Sequence, residues 1–195
     1  MEKKNSFFKF IKDKNNIIEI YTDGACSGNP GKGAWSCVVY NKDKKIIYKA
    51  YVGYEDGYDG IHAETYKDTT NNRMEIKGLL KALELSTSVY QDKICLIYSD
   101  SAYCVNMFND WINNWAKNGW TNSKKEIVKN FDLVKKLYEY KKIDFPNFQV
   151  LKIGGHNSNN IGNELADAYA VSAKDNNSTK LVKIIKENEI TLSVE

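Results

Sequence analysis

The run Ile94-Cys-Leu-Ile-Tyr-Ser99 limits the fold more than any other stretch of the chain. Nearly unbroken in apolar character and followed at once by Asp100, it reads as a central strand covered on both faces. Such a strand needs partners in a sheet and helices above and below it. The flanking sequence offers both. Ile17–Thr22, Ala34–Tyr40 and Ile46–Val52 are rich in β-branched and aromatic residues, and the polar turn Asn41–Lys44 joins the last two, so the first three strands form a meander. Asn72 opens a helix to Ser86, with Ile76, Leu79, Leu80 and Leu83 at i, i+3, i+4 and i+7. A second helix follows Asp100, with Val105, Phe108 and Ile112 on one side. A third covers Glu126–Lys141, aligning Ile127, Phe131, Val134 and Tyr138. Pro146 breaks it, Phe148–Ile153 is the fifth strand, and a last helix spans Asn163–Ala173. Strands first, then alternating helix and strand, predict a mixed α/β sheet with helices on both faces.

A chain of 195 residues fits one domain. Residues 1–16 read as a flexible Lys- and Asn-rich lead-in, 17–174 as the folded domain and 175–195 as a C-terminal extension with room for a helix turn and a strand. Gly53–Thr69 is polar, without a period, and reads as a long loop containing an insertion at 53–68. A net charge of +3 says little about nucleic acid. Cys26, Cys37, Cys95 and Cys104 form no C-x-x-C pair and no zinc spacing, which predicts reduced thiols in a cytoplasmic protein. No stretch has the length of a membrane span, and the first residues lack the apolar run of a signal peptide.

Four acids stand at element boundaries or faces. Asp23 lies where the first strand meets the glycine-rich segment Gly24–Gly33; an Asp-Gly pair is often only a turn. Glu75 follows Asn72 by three residues and fits a reciprocal helix cap. It also projects only about 40° around the helix from Leu79, so it can look toward the sheet. Asp100 fits an ordinary N-cap, yet it stands at the carboxyl end of a strand, where open α/β sheets bind ligands. Asp167 can be a plain surface acid inside the last helix. Taken together, four clustered carboxylates repel unless a multivalent cation neutralises them. All-oxygen ligands suit Mg²⁺ or Mn²⁺. Two such ions sharing a carboxylate is the arrangement for in-line phosphodiester hydrolysis. His156, in a Gly-rich loop eleven residues before Asp167, can carry a proton there.

These residues, in this order, resemble the type 1 ribonuclease H family. The matching stretches are Tyr21–Gly31, Thr69–Glu75, Tyr98–Ser101, Gly162–Asp167, Trp111–Trp120 and Val128–Leu133. The resemblance implies a ribonuclease H-like fold, its five-stranded sheet made of three antiparallel strands followed by two parallel ones. It implies an endonuclease that cuts the RNA strand of RNA·DNA hybrids with two divalent ions. Asp23 then bridges both ions, Glu75 and Asp100 complete one site, and Asp167 completes the other, with His156 catalytic beside them. Cys26, Asn29, Asn71 and Asn72 resemble the minor-groove readers, which sense the 2′-OH. Arg73, the one arginine among 28 basic residues, and Asn130 match positions that hold a phosphate of the DNA strand. Trp111, Trp115 and Trp120 with Lys117, Lys124 and Lys125 resemble the family's basic handle, residues 111–125, with Trp111 and Trp120 also expected to pack on the core.

Three departures from the family pattern stand out. The loop from His156 to Asp167 is one residue longer than usual, the 53–68 insertion precedes the Asn71 motif, and sixteen residues leave no room for the amino-terminal hybrid-binding module of many eukaryotic members. The resulting expectation is a monomeric nuclease with two Mg²⁺ (Mn²⁺ as substitute), acting on RNA·DNA hybrid and not at a membrane. A catalytically silent hybrid-binding module, a structural adaptor using the same fold and a retroelement-derived domain are the alternatives.

Overall fold

In the computed structural model, residues 16–41, 46–57, 69–144, 146–155, 160–179 and 185–186 are described. The apolar run is strand β4 (Ile94–Ser99), and it lies between two parallel neighbours, β1 (Ile17–Gly28) and β5 (Phe148–Lys152). On its other side β1 pairs antiparallel with β2 (Gly31–Asn41), which pairs antiparallel with β3 (Ile46–Glu55). The order is β5-β4-β1-β2-β3, with a two-residue strand β6 (Ile185–Lys186) added antiparallel to β3. This is the expected five-stranded mixed sheet with a short addition from the C-terminal extension.

Helices cover both faces. On one lie α1 (Asn71–Ser88), α2 (Ala102–Asn106), a π-helical turn (Met107–Trp111), α3 (Ile112–Lys117) and α4 (Phe131–Lys141); on the other lies α5 (Ile161–Asp175). The first face holds the larger core, where Ile18, Ile20, Ile97 and Val150 of the sheet meet Ile76, Leu79, Leu83, Phe108, Ile112, Val134 and Leu137. The second packs Tyr21, Val38, Ala50 and Val52 against Leu165, Ala166, Tyr169 and Ala173. Alternate residues of each strand serve opposite cores, as the two-residue period requires.

Several element bounds differ from the sequence reading. β1 and β2 do not stop at Thr22 and start at Ala34: their ladder runs on to Gly28↔Gly31, so the glycine-rich segment is the end of a hairpin and Asp23 is mid-strand. Its parallel pairing with β4 does stop at Thr22↔Ser99, and Asp23 therefore emerges at the edge of that ladder. β3 continues through Gly53 because that glycine sits opposite Trp35, where a Cβ would meet the indole at 2.4 Å. The long loop thus starts beyond β3, and residues 58–68 lie outside the described residues, as do 1–15. α4 begins at Phe131, not Glu126: Asn130 has left-handed backbone (φ 58°), which breaks the helix before it, and Ile127 is 60% exposed.

Candidate active site

Two packing devices bring the acids together. Where α1 crosses β1, Gly24 leaves no side chain: a Cβ there would lie 2.5 Å from the Glu75 nitrogen. Gly78, one turn on, faces Ser36 O and Asp23 O at 2.9 and 3.3 Å from its own missing Cβ. The first turn of α1 therefore rests directly on the strand that carries Asp23. On the opposite face Gly162 admits the Tyr21 ring against the start of α5, and Asn160 Nδ2 donates to Tyr21 Oη at 3.3 Å. Asn160 also caps α5 by accepting from Asn163 N at 3.2 Å. Ser36 Oγ donates to Ala166 O at 2.6 Å, holding the residue next to Asp167 onto β2.

Asp23, Glu75 and Asp100 each present a carboxylate oxygen within 4.8 Å of the others. Asp23 and Glu75 are buried and Asp100 is partly exposed at the opening. Neither helix-cap alternative holds. Thr70 caps α1, accepting from Arg73 N, and Ser101 caps α2, accepting from Cys104 N at 3.3 Å. Glu75 and Asp100 are left for the cluster. Asn71 Nδ2 donates to Glu75 Oε1 at 3.4 Å, while Glu75 Oε2 is buried with no hydrogen-bond partner among the described residues. Lys152 Nζ donates to Asp100 O and Ile153 O at 2.6 Å each, closing the ends of β4 and β5.

The electrostatics follow from this crowding. Burial first, then the charge of Asp100, pushes the Asp23 carboxyl up to about 7; the Gly24 N–H opposes this, and Asp167 adds to it from α5. Burial, followed by the charges of Asp23 and Asp100, holds Glu75 well above the usual carboxylate range. An all-oxygen set with a buried orphan acceptor fits hard divalent cations. Partial protonation is the alternative way to relieve the repulsion.

Around the acids lies a polar edge. Gly31 and Thr69 exchange backbone hydrogen bonds of 2.9 and 3.0 Å, and Asn71 N donates to Asn29 Oδ1 at 3.2 Å. The β1–β2 turn and the start of α1 are thereby joined, and Cys26, Asn29, Asn71 and Asn72 fall along one border. Asn29 and Asn72 are exposed, and Cys26 and Asn71 are half-buried.

Arg73 is placed differently from an open phosphate contact. It is fully buried, with Nη1 and Nη2 donating to Asp132 Oδ1 and Oδ2 at 3.0 and 2.9 Å. Nothing in the local sequence marks Asp132, although a lone buried arginine calls for an acidic partner. Asn130 is half-buried at the start of α4.

In the handle, Trp120 packs on Phe131 and Tyr138 with ring centroids 5.5 and 5.2 Å away, so it is indeed a core anchor. Trp111 is 38% exposed and packs edge-on to Tyr103, with half-buried Trp115 beside it. Asn122 Oδ1 accepts from Lys124 N and Glu126 N, shaping a tip that exposes Lys124 and Lys125; Lys117 is exposed at the end of α3. His156 lies outside the described residues. The four cysteines form no disulfide, and no helix among the described residues is long and apolar enough to cross a membrane.

Comparison with known proteins agrees with this architecture. A family model described as RNase H matches residues 15–175. The ribonuclease H of Caldanaerobacter subterraneus subsp. tengcongensis is 41% identical over 182 residues, spanning 91% of this chain and 99% of that protein. That of Orientia tsutsugamushi is 38% identical over 178 residues, spanning 91% and 92%. Among solved structures, LC9-RNase H1, a type 1 RNase H with the type 2 active-site motif, is similar with a TM-score of 0.68 at 21% identity, over 92% of this chain and 82% of that one. LC11-RNase H1 in complex with RNA/DNA hybrid is similar with a TM-score of 0.57 at 21% identity, over 82% and 98%. The solved structures bear on the fold, and the sequence relatives on descent: the chain belongs to the RNase H family of nucleases.

Proposed function

We propose that this chain hydrolyses the RNA strand of RNA·DNA hybrids, leaving 5′-phosphate and 3′-OH ends, with two Mg²⁺ as cofactors and Mn²⁺ as a substitute. The observation that carries the reading is the convergence of Asp23, Glu75 and Asp100 within 4.8 Å, beside a polar edge and a basic handle, in a member of the RNase H family. Asp23, Glu75 and Asp100, with Asp167 from α5 beside Asp23, are the residues that would hold such ions. Bound there, divalent ions supply Lewis acidity at the scissile phosphate and favour a water nucleophile.

The chain's own groups do the rest. Asp23 and Glu75 reach the reactive state as carboxylates, giving up the protons that crowding favours when no counter-charge is near. His156 carries a proton to or from the site. Cys26, Asn29, Asn71 and Asn72 bind the minor groove and sense the 2′-OH, which is both donor and acceptor. Trp111, Trp115, Lys117, Lys124 and Lys125 hold the duplex backbone, with Trp120 rooting that segment on α4, and Asn130, backed by buried Arg73, serves the DNA-strand phosphate. These contacts position the duplex and leave base sequence unread. Such an enzyme works as a cytoplasmic monomer. That LC11-RNase H1 is solved with an RNA/DNA hybrid supports the choice of substrate.

The test is cleavage of matched RNA·DNA hybrid, RNA duplex and DNA duplex, each with and without Mg²⁺. Cutting confined to the hybrid and to the Mg²⁺ lanes is expected. Binding to the hybrid without cutting would make the chain a silent hybrid-binding module.

A further inference from the structure

The Arg73–Asp132 pair suggests a role for a residue outside the site so far described. Arg73 stands in the first turn of α1 and Asp132 in the first turn of α4, so the bidentate bridge ties two helix starts together. Two residues before Asp132, Asn130 adopts φ 58° and ψ 31°, and its side chain makes no capping bond. Its carbonyl instead accepts from Leu133 N and Val134 N at 3.0 and 2.9 Å, while Nδ2 donates to Tyr103 Oη of α2 at 3.5 Å. Asn130 is thus held by the first turn of α4 through its carbonyl and by α2 through its amide, and it stays half-buried. A buried guanidinium whose fork is filled by a carboxylate offers little to a phosphate. Its charge is also balanced locally, which lets an acid sit near the duplex backbone without repelling it.

Resting on the hybrid reading above, we propose that Asp132 is a positioning residue: by gripping Arg73 it fixes the start of α4 so that Asn130 meets a phosphate of the DNA strand. Arg73 then acts through Asp132 and not by direct contact. The two arrangements make opposite predictions for Asp132→Asn. Released from its partner, an arginine able to reach phosphate would tighten binding. A positioning clamp would instead loosen.

The experiment measures hybrid binding against salt in an Asp23→Asn background, for the parent, Asp132→Asn, Asn130→Ala and the double variant. Asp132→Asn is expected to weaken binding about 10-fold, with the log–log salt slope unchanged. Adding it to Asn130→Ala should weaken binding no further, as coupled residues do not add. In the otherwise wild-type enzyme KM should rise while kcat at saturating hybrid stays within about 2-fold. Tighter binding with a slope steeper by about 0.7–0.9, the signature of one new phosphate contact, would overturn the proposal, as would full additivity. Asp132→Glu, which keeps the charge, should recover part of the affinity and guards against a folding defect. A readout free of substrate is the Asn130 side-chain amide resonance in the unliganded protein. It should shift in Asp132→Asn and stay put in Lys124→Ala, and an unmoved resonance in Asp132→Asn would refute the clamp. Failure of the parent to bind hybrid while that resonance shifts would reject the hybrid reading and leave the clamp standing.

Discussion

Asp23 carries the sharpest residue-scale consequence, because its carboxyl is pushed up to about 7 by burial and by neighbouring acids. The unfolded chain gives up that proton near pH 3.9. Between about pH 4 and 7 the metal-free folded state therefore holds a proton that the unfolded state lacks, and stability falls as pH rises through that window. Asp23→Asn removes the titration. In EDTA the variant should gain stability over the parent as pH rises from about 5 to 8, by roughly 2–3 kcal/mol at the top of the range. Melting curves of both proteins test this, and a gap independent of pH would contradict it. The same variant should lose at least ~10²–10³ in turnover with Mg²⁺, the scale of losing a major electrostatic stabiliser. Gly24→Ala should cost about 1–3 kcal/mol by overpacking against α1, and should cut activity further by moving Glu75; unchanged melting and turnover would show that the contact relaxes freely.

At the scale of elements, the handle separates anchoring from display. Trp120 roots the segment on α4, while Lys117, Lys124 and Lys125 stand exposed. Replacing the three lysines by alanine should leave the melting temperature almost unchanged. Hybrid affinity should fall, and every phosphate that thereby goes unneutralised should flatten the log–log salt slope by about 0.7–0.9. Turnover at saturating hybrid should change little, since these groups orient the duplex. A slope equal to that of the parent would make them an ordinary solvated face. His156 lies outside the described residues. His156→Ala should lower turnover by about 10–100-fold, the lower part of the range for acid–base help. A loss as deep as that of Asp23→Asn, or none at all, would each contradict a proton-carrying role.

For the whole molecule, the acids come from two strand regions and two helices on opposite faces of the sheet, so an ion held by them would report on the complete fold. Ions that bind only the folded state stabilise it by RT ln(1 + [L]/Kd), about 2.7 kcal/mol at a hundredfold excess over Kd. The melting temperature should rise with Mg²⁺ and the rise should vanish in Asp23→Asn. A flat response up to several millimolar Mg²⁺ would count against the cluster. Excision of residues 58–67 should retain fold and activity if they form a surface loop, provided Thr69 stays to pair with Gly31. A folded but inactive product would make the segment a substrate contact.

The sequence alone determined the layered α/β class and the five strands, and it singled out Asp23, Glu75 and Asp100, which the fold brings within 4.8 Å of one another. Period-two and 3.6-residue patterns report burial directly, and the acids stand in stretches whose order is distinctive. Local signals failed where a distant partner set the outcome. Gly24–Gly28 reads as loop, yet it is strand because β2 pairs along its full length. Gly53 reads as a breaker, yet Trp35 across the ladder occupies its missing side chain. Glu126–Asn130 reads as helix until the left-handed Asn130 ends it. Asn72 and Asp100 look like caps, but Thr70 and Ser101 accept those bonds and leave Glu75 and Asp100 to the cluster. Only the tertiary structure could bury Arg73 against Asp132, 59 residues away, because a salt bridge between two helix starts has no signature in either helix.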